Sequence, residues 1–302
     1  MDAVTAAFSG LFDYAGLFPP AGLPLDEVCE RYATYRAGSH AWMLGRLIVP
    51  AERLPDAEHE ARRRGGSTAD PWPLSVLVGP AVRSAAFVGD VLERHGTPSH
   101  VAVVAVEAVA GSAGEIAQAA ALWPPTLERY VEIPAEQDPA PLMADLAATG
   151  LLAKVRAGGV TAERFPPAAD LARFLARARQ AGVPLKATAG LHHAVRGAYR
   201  LGYEPDSGSG TMHGFVNLVL AATLLAAGKI DEAMAEACLD DDRPDAFRIS
   251  GRAGSWLNGV VTYSEIAHAR QSVLRSVGTC SFEEPVAEIE ALDFGLRGVD
   301  GV

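Results

Sequence analysis

Short apolar runs alternate along this chain with amphipathic stretches of helical period, the pattern of successive βα units around a parallel sheet. The runs predict strands at 8–14, 42–49, 74–79, 101–107, 128–134, 151–157, 184–189 and 246–250. The intervening periodicity predicts helices at 25–37, 51–64, 81–95, 113–122, 139–149, 167–181 and 213–227, with a last one at 262–276. Eight strands, each followed by a helix, make a (β/α)8 barrel, here one domain over residues 1–302. The alternative is an open doubly wound sheet. That fold ordinarily carries a glycine fingerprint after its first strand, and GLFPPAG at 16–22 is not one.

Two stretches depart from the alternation. The connection after the seventh strand, 190–212, is long and contains DSGSG at 206–210. On the catalytic face of a barrel such a loop is either a lid or a disordered insertion. After the last helix, residues 278–302 form a C-terminal extension with an acidic helix at 285–293 and a glycine-rich tail. This layout places Cys280 far from the catalytic end.

Charges interrupt almost every apolar run: Asp13, Arg46, Glu107, Glu132, Lys154 with Arg156, Lys186, and Arg248. Strands buried on both faces should read as unbroken apolar segments. Side chains alternate along a strand, so Lys154 and Arg156 share one face while Val155 takes the other. A charge turned towards the helices would be expensive to bury, whereas one turned into the barrel can be paired or solvated. The charges therefore converge on a site at the carboxyl ends of the strands, or else form a structural ion-pair network. Buried pairs contribute little net stability, which favours the site.

Lys154 and Lys186 lie one βα unit apart. Strands about 4.8 Å apart bring two such ammonium groups close, and like charge with desolvation depresses a lysine pKa. A neutral amine is the form that attacks a carbonyl to give a Schiff base. At AKVRAGG and LKATAG the chain resembles deoxyribose-phosphate aldolase and related class I aldolases. The resemblance implies that Lys154 is the Schiff-base lysine ending strand six. It also implies that Lys186 is the second lysine ending strand seven, with Glu107 near the place of the strand-four acid. It departs where Arg156 stands for a small residue and where the family's phosphate loop has no counterpart. Read from the residues alone, Lys154, Arg156 and Lys186 equally make a clamp for a carboxylate, a phosphate or a developing enolate, with Glu132 or Glu107 as base.

His192 and His193 follow strand seven, and His213 opens the next helix, all on loops over the mouth. An imidazole there suits acid–base work or substrate hydrogen bonding. With Glu132 these histidines also supply zinc-type donors, although neither HExxH nor HxH spacing occurs. Asp13, Arg46 and Arg252 complete the candidate substrate contacts.

Composition narrows the partners. The 302-residue chain carries a formal charge of -11, which disfavours nucleic acid and anionic membrane surfaces. No apolar run reaches the roughly 20 residues that span a bilayer. The three cysteines include no CxxC pair, and the N-terminus lacks a basic signal region, so a cytoplasmic location is expected. No cofactor fingerprint is present. The expected function is a carbon–carbon lyase of aldolase type acting on a small anionic carbonyl metabolite. A metal-dependent hydrolase, an isomerase or lyase with a Lys/Arg clamp, and a non-catalytic binding barrel are the alternatives. A homo-oligomer is left open.

Overall fold

In a computed structural model, which describes residues 2–78 and 85–292, eight parallel strands close on themselves. They are β1 (Phe12–Tyr14), β2 (Leu44–Pro50), β3 (Trp72–Leu77), β4 (Val101–Val109), β5 (Glu128–Glu132), β6 (Leu152–Arg156), β7 (Leu185–Thr188) and β13 (Leu274–Thr279). Around the ring β13 joins β1 to β7, and the remaining strands follow in sequence order. The expected (β/α)8 barrel is therefore the fold. No helix among the described residues is long and apolar enough to cross a membrane.

The outer layer begins with α1 (Ala3–Phe8), where Asp2 accepts a hydrogen bond from the Thr5 amide at 2.7 Å. The predicted strand at 8–14 accordingly starts only at Phe12. Helices α2 (Leu25–Ala37), α3 (Leu54–Arg63), α4 (Ala85–Gly96), α5 (Ala113–Leu122), α6 (Ala140–Thr149) and α7 (Ala168–Ala181) follow their strands as expected. Residues 81–84 of the helix predicted at 81–95 lie outside the described residues, as does position 79 of the third predicted strand. α6 and α7 both end on a left-handed glycine, Gly150 and Gly182, which releases the chain into the next strand.

The last quarter corrects the sequence reading. Residues 246–250 do not close the barrel. They form β10 (Phe247–Ser250), which pairs antiparallel with β11 (Ala253–Trp256) and then β12 (Gly259–Thr262). Arg248 and Ser250 face solvent while Phe247 and Ile249 are buried, the alternation of a sheet with one wet face. The true eighth strand, β13, is nearly all buried and follows α10 (Tyr263–Ser272) after a single residue. With no glycine or proline between them, the helical period ran straight into the strand. The extension set at residue 278 thus opens inside β13 and continues through α11 (Glu283–Ala291). Its glycine-rich tail lies outside the described residues.

Two insertions surround the seventh unit. The 190–212 loop folds as an antiparallel hairpin, β8 (Gly197–Arg200) with β9 (Ser209–Met212). After it, α8 (Phe215–Ala226) is buried on nearly every side because α9 (Glu232–Asp240), which the periodicity missed, covers its outer face. Asn217, fully buried in α8, donates to the carbonyls of Cys238 and Asp241 at 2.8 Å each, tying the two helices together.

Candidate active site

Strand register aligns the charges. Glu132 pairs with Lys154 between β5 and β6, and Lys154 pairs with Lys186 between β6 and β7. Their side chains enter the barrel, as period-two alternation requires. The two lysines do not meet directly, because Glu107 of β4 stands between them. Its Oε1 lies 2.6 Å from Lys186 Nζ and its Oε2 2.8 Å from Lys154 Nζ. Lys186 also donates to Asp13 at 2.6 Å, and Lys154 lies 3.1 Å from Glu132, which accepts from Arg156 Nε at 3.1 Å. The sequence Asp13, Lys186, Glu107, Lys154, Glu132, Arg156 therefore alternates in sign from the barrel centre to its mouth. Ser75 donates to Glu107 at 2.6 Å and Ser276 to Asp13 at 2.9 Å, so the inner carboxylates are saturated.

This arrangement overturns the expected depression of the lysine pKa. Burial alone would lower that of Lys154, yet the carboxylates of Glu107 and Glu132 outweigh it and hold the group above its ordinary value. Burial alone would raise Glu107, and the two ammonium groups bring it far below the usual carboxylate range. Asp13 is lowered in the same way, burial being outweighed by Lys186 and Arg46. Lys154, Glu107 and Asp13 are thereby each held towards the charged form by the neighbours they pair with.

Above the network opens a cavity of about 600 Å³ at the carboxyl ends of the strands. Glu107, Glu132, Lys154, Arg156 and His192 line it, whereas Lys186 is wholly buried below. Arg164, in a short turn after β6, adds a second guanidinium to the wall. The loops after β6 and β7 approach closely here. A Cβ on either Gly158 or Gly190 would come within 2.5 Å of the Phe165 ring. Ala189 sits at φ 67, a strained conformation for a residue with a side chain, and lines the same cavity.

Other candidates fall elsewhere. Arg46 occupies a lower layer, 2.8 Å from Glu128 and 3.7 Å from Asp13, and does not line the cavity. Arg252 lies in the exposed turn between β10 and β11, away from the mouth, because 246–250 is not a barrel strand. His213 gives Nε2 to the Pro166 carbonyl, 2.7 Å away, and lines neither the main cavity nor its neighbour. His193 pairs with Glu288 at 2.6 Å. Among the described residues no group of three or more His, Cys, Asp or Glu side chains is placed to hold a metal ion, so His192, His213 and Glu132 do not assemble the hydrolase set.

Cys280 was expected far from the site and instead lines the cavity, since β13 delivers it to the carboxyl end of the barrel. Its sulfur lies 3.7 Å from both ring nitrogens of His192. Burial pushes this thiol up to about 11 and brings His192 down to about 4, so the pair rests neutral. Arg164, Cys280, Ser75 and Ser276 were missed by sequence reasoning. The two serines had a signal, small hydroxyls at inward positions of apolar strands, while Arg164 had none.

The low pKa of His192 makes an acid-stability prediction. Between pH 6.5 and about 4 the unfolded chain takes up a proton at this position that the folded protein refuses. Stability is therefore lost as pH falls across that window, by about 3 kcal/mol at its lower end. Burial lowers His213 too and adds to the slope. Guanidinium midpoints should decline from pH 7 to 5 and decline less in His192→Gln. A flat wild-type profile there would contradict the assignment. Below about pH 4, Asp13 and Glu107 add a further loss, because their folded pKa values are depressed.

Comparison with protein-family models, with curated proteins and with solved structures finds no match to this chain. The fold and site nevertheless define a class: a closed (β/α)8 barrel whose mouth is lined by ionisable side chains. That architecture commonly carries enzymes, with their chemistry at this end.

Proposed function

We propose that the protein is a carbon–carbon lyase of aldolase type, acting on a small anionic carbonyl compound through an imine on Lys154. The observation that carries this reading is the use of lysine itself. The chain has only three lysines, Lys154, Lys186 and Lys229, among its 26 Lys and Arg residues. Arginine supplies most of the cationic charge, including Arg46 inside the same barrel. Lys229 is a surface residue paired with Glu265, and Lys186 is sealed below the cavity. Lys154 alone brings an amine to the pocket.

Each neighbour then has a task. Glu132 Oε2 is buried, lies 3.1 Å from Nζ and has no hydrogen bond aligned on it, so it is placed to take the ammonium proton. The freed amine attacks the carbonyl carbon, and Glu132 returns its proton as the carbonyl oxygen leaves as water. The Glu132 carboxylate then takes the proton of the β-hydroxyl, and the bond between the α and β carbons breaks towards the iminium, giving an aldehyde and an enamine. Glu132 protonates the enamine carbon, and water hydrolyses the imine to release the second product and the Lys154 amine. Lys186 positions Glu107 rather than reacting. Arg156 and Arg164 hold the anionic group of the substrate.

A second reading rests on the raised pKa of Lys154. A permanent ammonium there stabilises an enolate while Glu132 removes the proton, which makes the protein an isomerase or lyase without a covalent intermediate.

Borohydride reduction in the presence of pyruvate or dihydroxyacetone phosphate tests the first reading. The reduced adduct is expected on Lys154 by peptide mass analysis, and on neither Lys186 nor Lys229. Unmodified Lys154 with both compounds would overturn it.

A further inference from the structure

Beside the main cavity lies a second one of about 340 Å³, and His192 and Gly159 line both. Its roof is the β8–β9 hairpin, which brings Tyr199, Leu201, Tyr203 and Met212 over the loop after β7. These walls are planar or apolar. The His193 imidazole stacks on Tyr199 with ring centroids 3.5 Å apart and planes within 9°, and its Nδ1 is fixed 2.6 Å from Glu288. The Tyr203 hydroxyl donates to Glu284 at 3.1 Å, holding the hairpin down on α11.

The charged groups at this second cavity are engaged. Arg200 donates to the Glu204 carbonyl on its own hairpin, and Glu284 accepts from Tyr203. His192 rests neutral. The guanidinium groups of Arg156 and Arg164 both lie on the main cavity instead. The main cavity thus carries two guanidinium groups for an anion, and the second sets the aromatic and apolar side chains of the hairpin beside Arg200 and Glu284. Size agrees, since an apolar cavity of about 150 Å³ already takes benzene.

We infer that the second cavity binds an aromatic ring. Resting on the lyase reading, the ring is the half of the substrate that leaves as an aldehyde, so the substrate class is an aromatic aldol of a small anionic carbonyl compound. The anionic half sits over Lys154, and the scissile bond lies beside His192.

Ring binding is measurable without turnover. Saturation-transfer NMR on the full-length protein with benzyl alcohol as probe should show transfer to the ring protons. Leu201→Trp fills the cavity and should weaken binding by about tenfold or more. Tyr199→Ala, which removes the stacked wall, should also weaken it and serves if the first variant does not fold. Absence of transfer in the wild type, or undiminished binding in both variants, would overturn the inference. Borohydride trapping of pyruvate is followed in the same samples. Trapping without ring binding sinks only the second cavity, and ring binding without trapping sinks only the imine.

Discussion

Replacing Glu107 with alanine is expected to destabilise the protein by about 3–5 kcal/mol, a large share of the 5–15 kcal/mol by which a domain is ordinarily stable. Glu107 is 1% exposed and holds Lys154, Lys186 and the Ser75 hydroxyl at once. Its removal leaves Lys186 with Asp13 alone and Lys154 with Glu132 alone, both inside the barrel. An unbalanced buried ammonium is far more costly than the intact pair is stabilising. Glu107→Gln, which keeps the shape and one acceptor, should lose less. Urea denaturation midpoints measure both. An alanine variant within 1 kcal/mol of wild type would mean that water, not Glu107, neutralises the lysines.

Lys154→Arg and Lys154→Met separate the two mechanisms. Under the imine reading both variants lose at least about 10⁴-fold in kcat, because neither guanidinium nor thioether forms the covalent intermediate. Under the ammonium reading arginine retains the charge, and its rate falls by less than about 10²-fold while methionine fails. Stability should suffer less in either variant than in Glu107→Ala. Glu107 keeps Lys186 and Glu132 keeps Arg156, so no carboxylate is stranded. Activity surviving in Lys154→Arg would remove the covalent mechanism while leaving the site in place.

Much of this was legible beforehand, for identifiable reasons. Apolar runs separated by amphipathic helices are local patterns, and seven of the barrel strands announced themselves by them. The charges at 13, 107, 132, 154, 156 and 186 were legible because an ionised side chain within a doubly buried strand has only the barrel interior to enter. The eighth strand was not legible. β10 and β13 are both short and β-prone, and only closure against β1 and β7, far away in sequence, selects between them. Cys280 and Arg252 exchanged places relative to expectation for that same reason.

The amino-acid order by itself therefore determined the βα alternation and the set of ionisable groups pointing inward. The tertiary structure alone decided which of those groups touch. Two lysines one βα unit apart read as mutual repulsion, but the barrel inserts Glu107 between them and reverses the sign of the shift at Lys154. Direction along a strand is a matter of period two and can be counted from residue to residue. A pKa follows from charges within a few ångströms, and which charges those are depends on how distant strands close the ring.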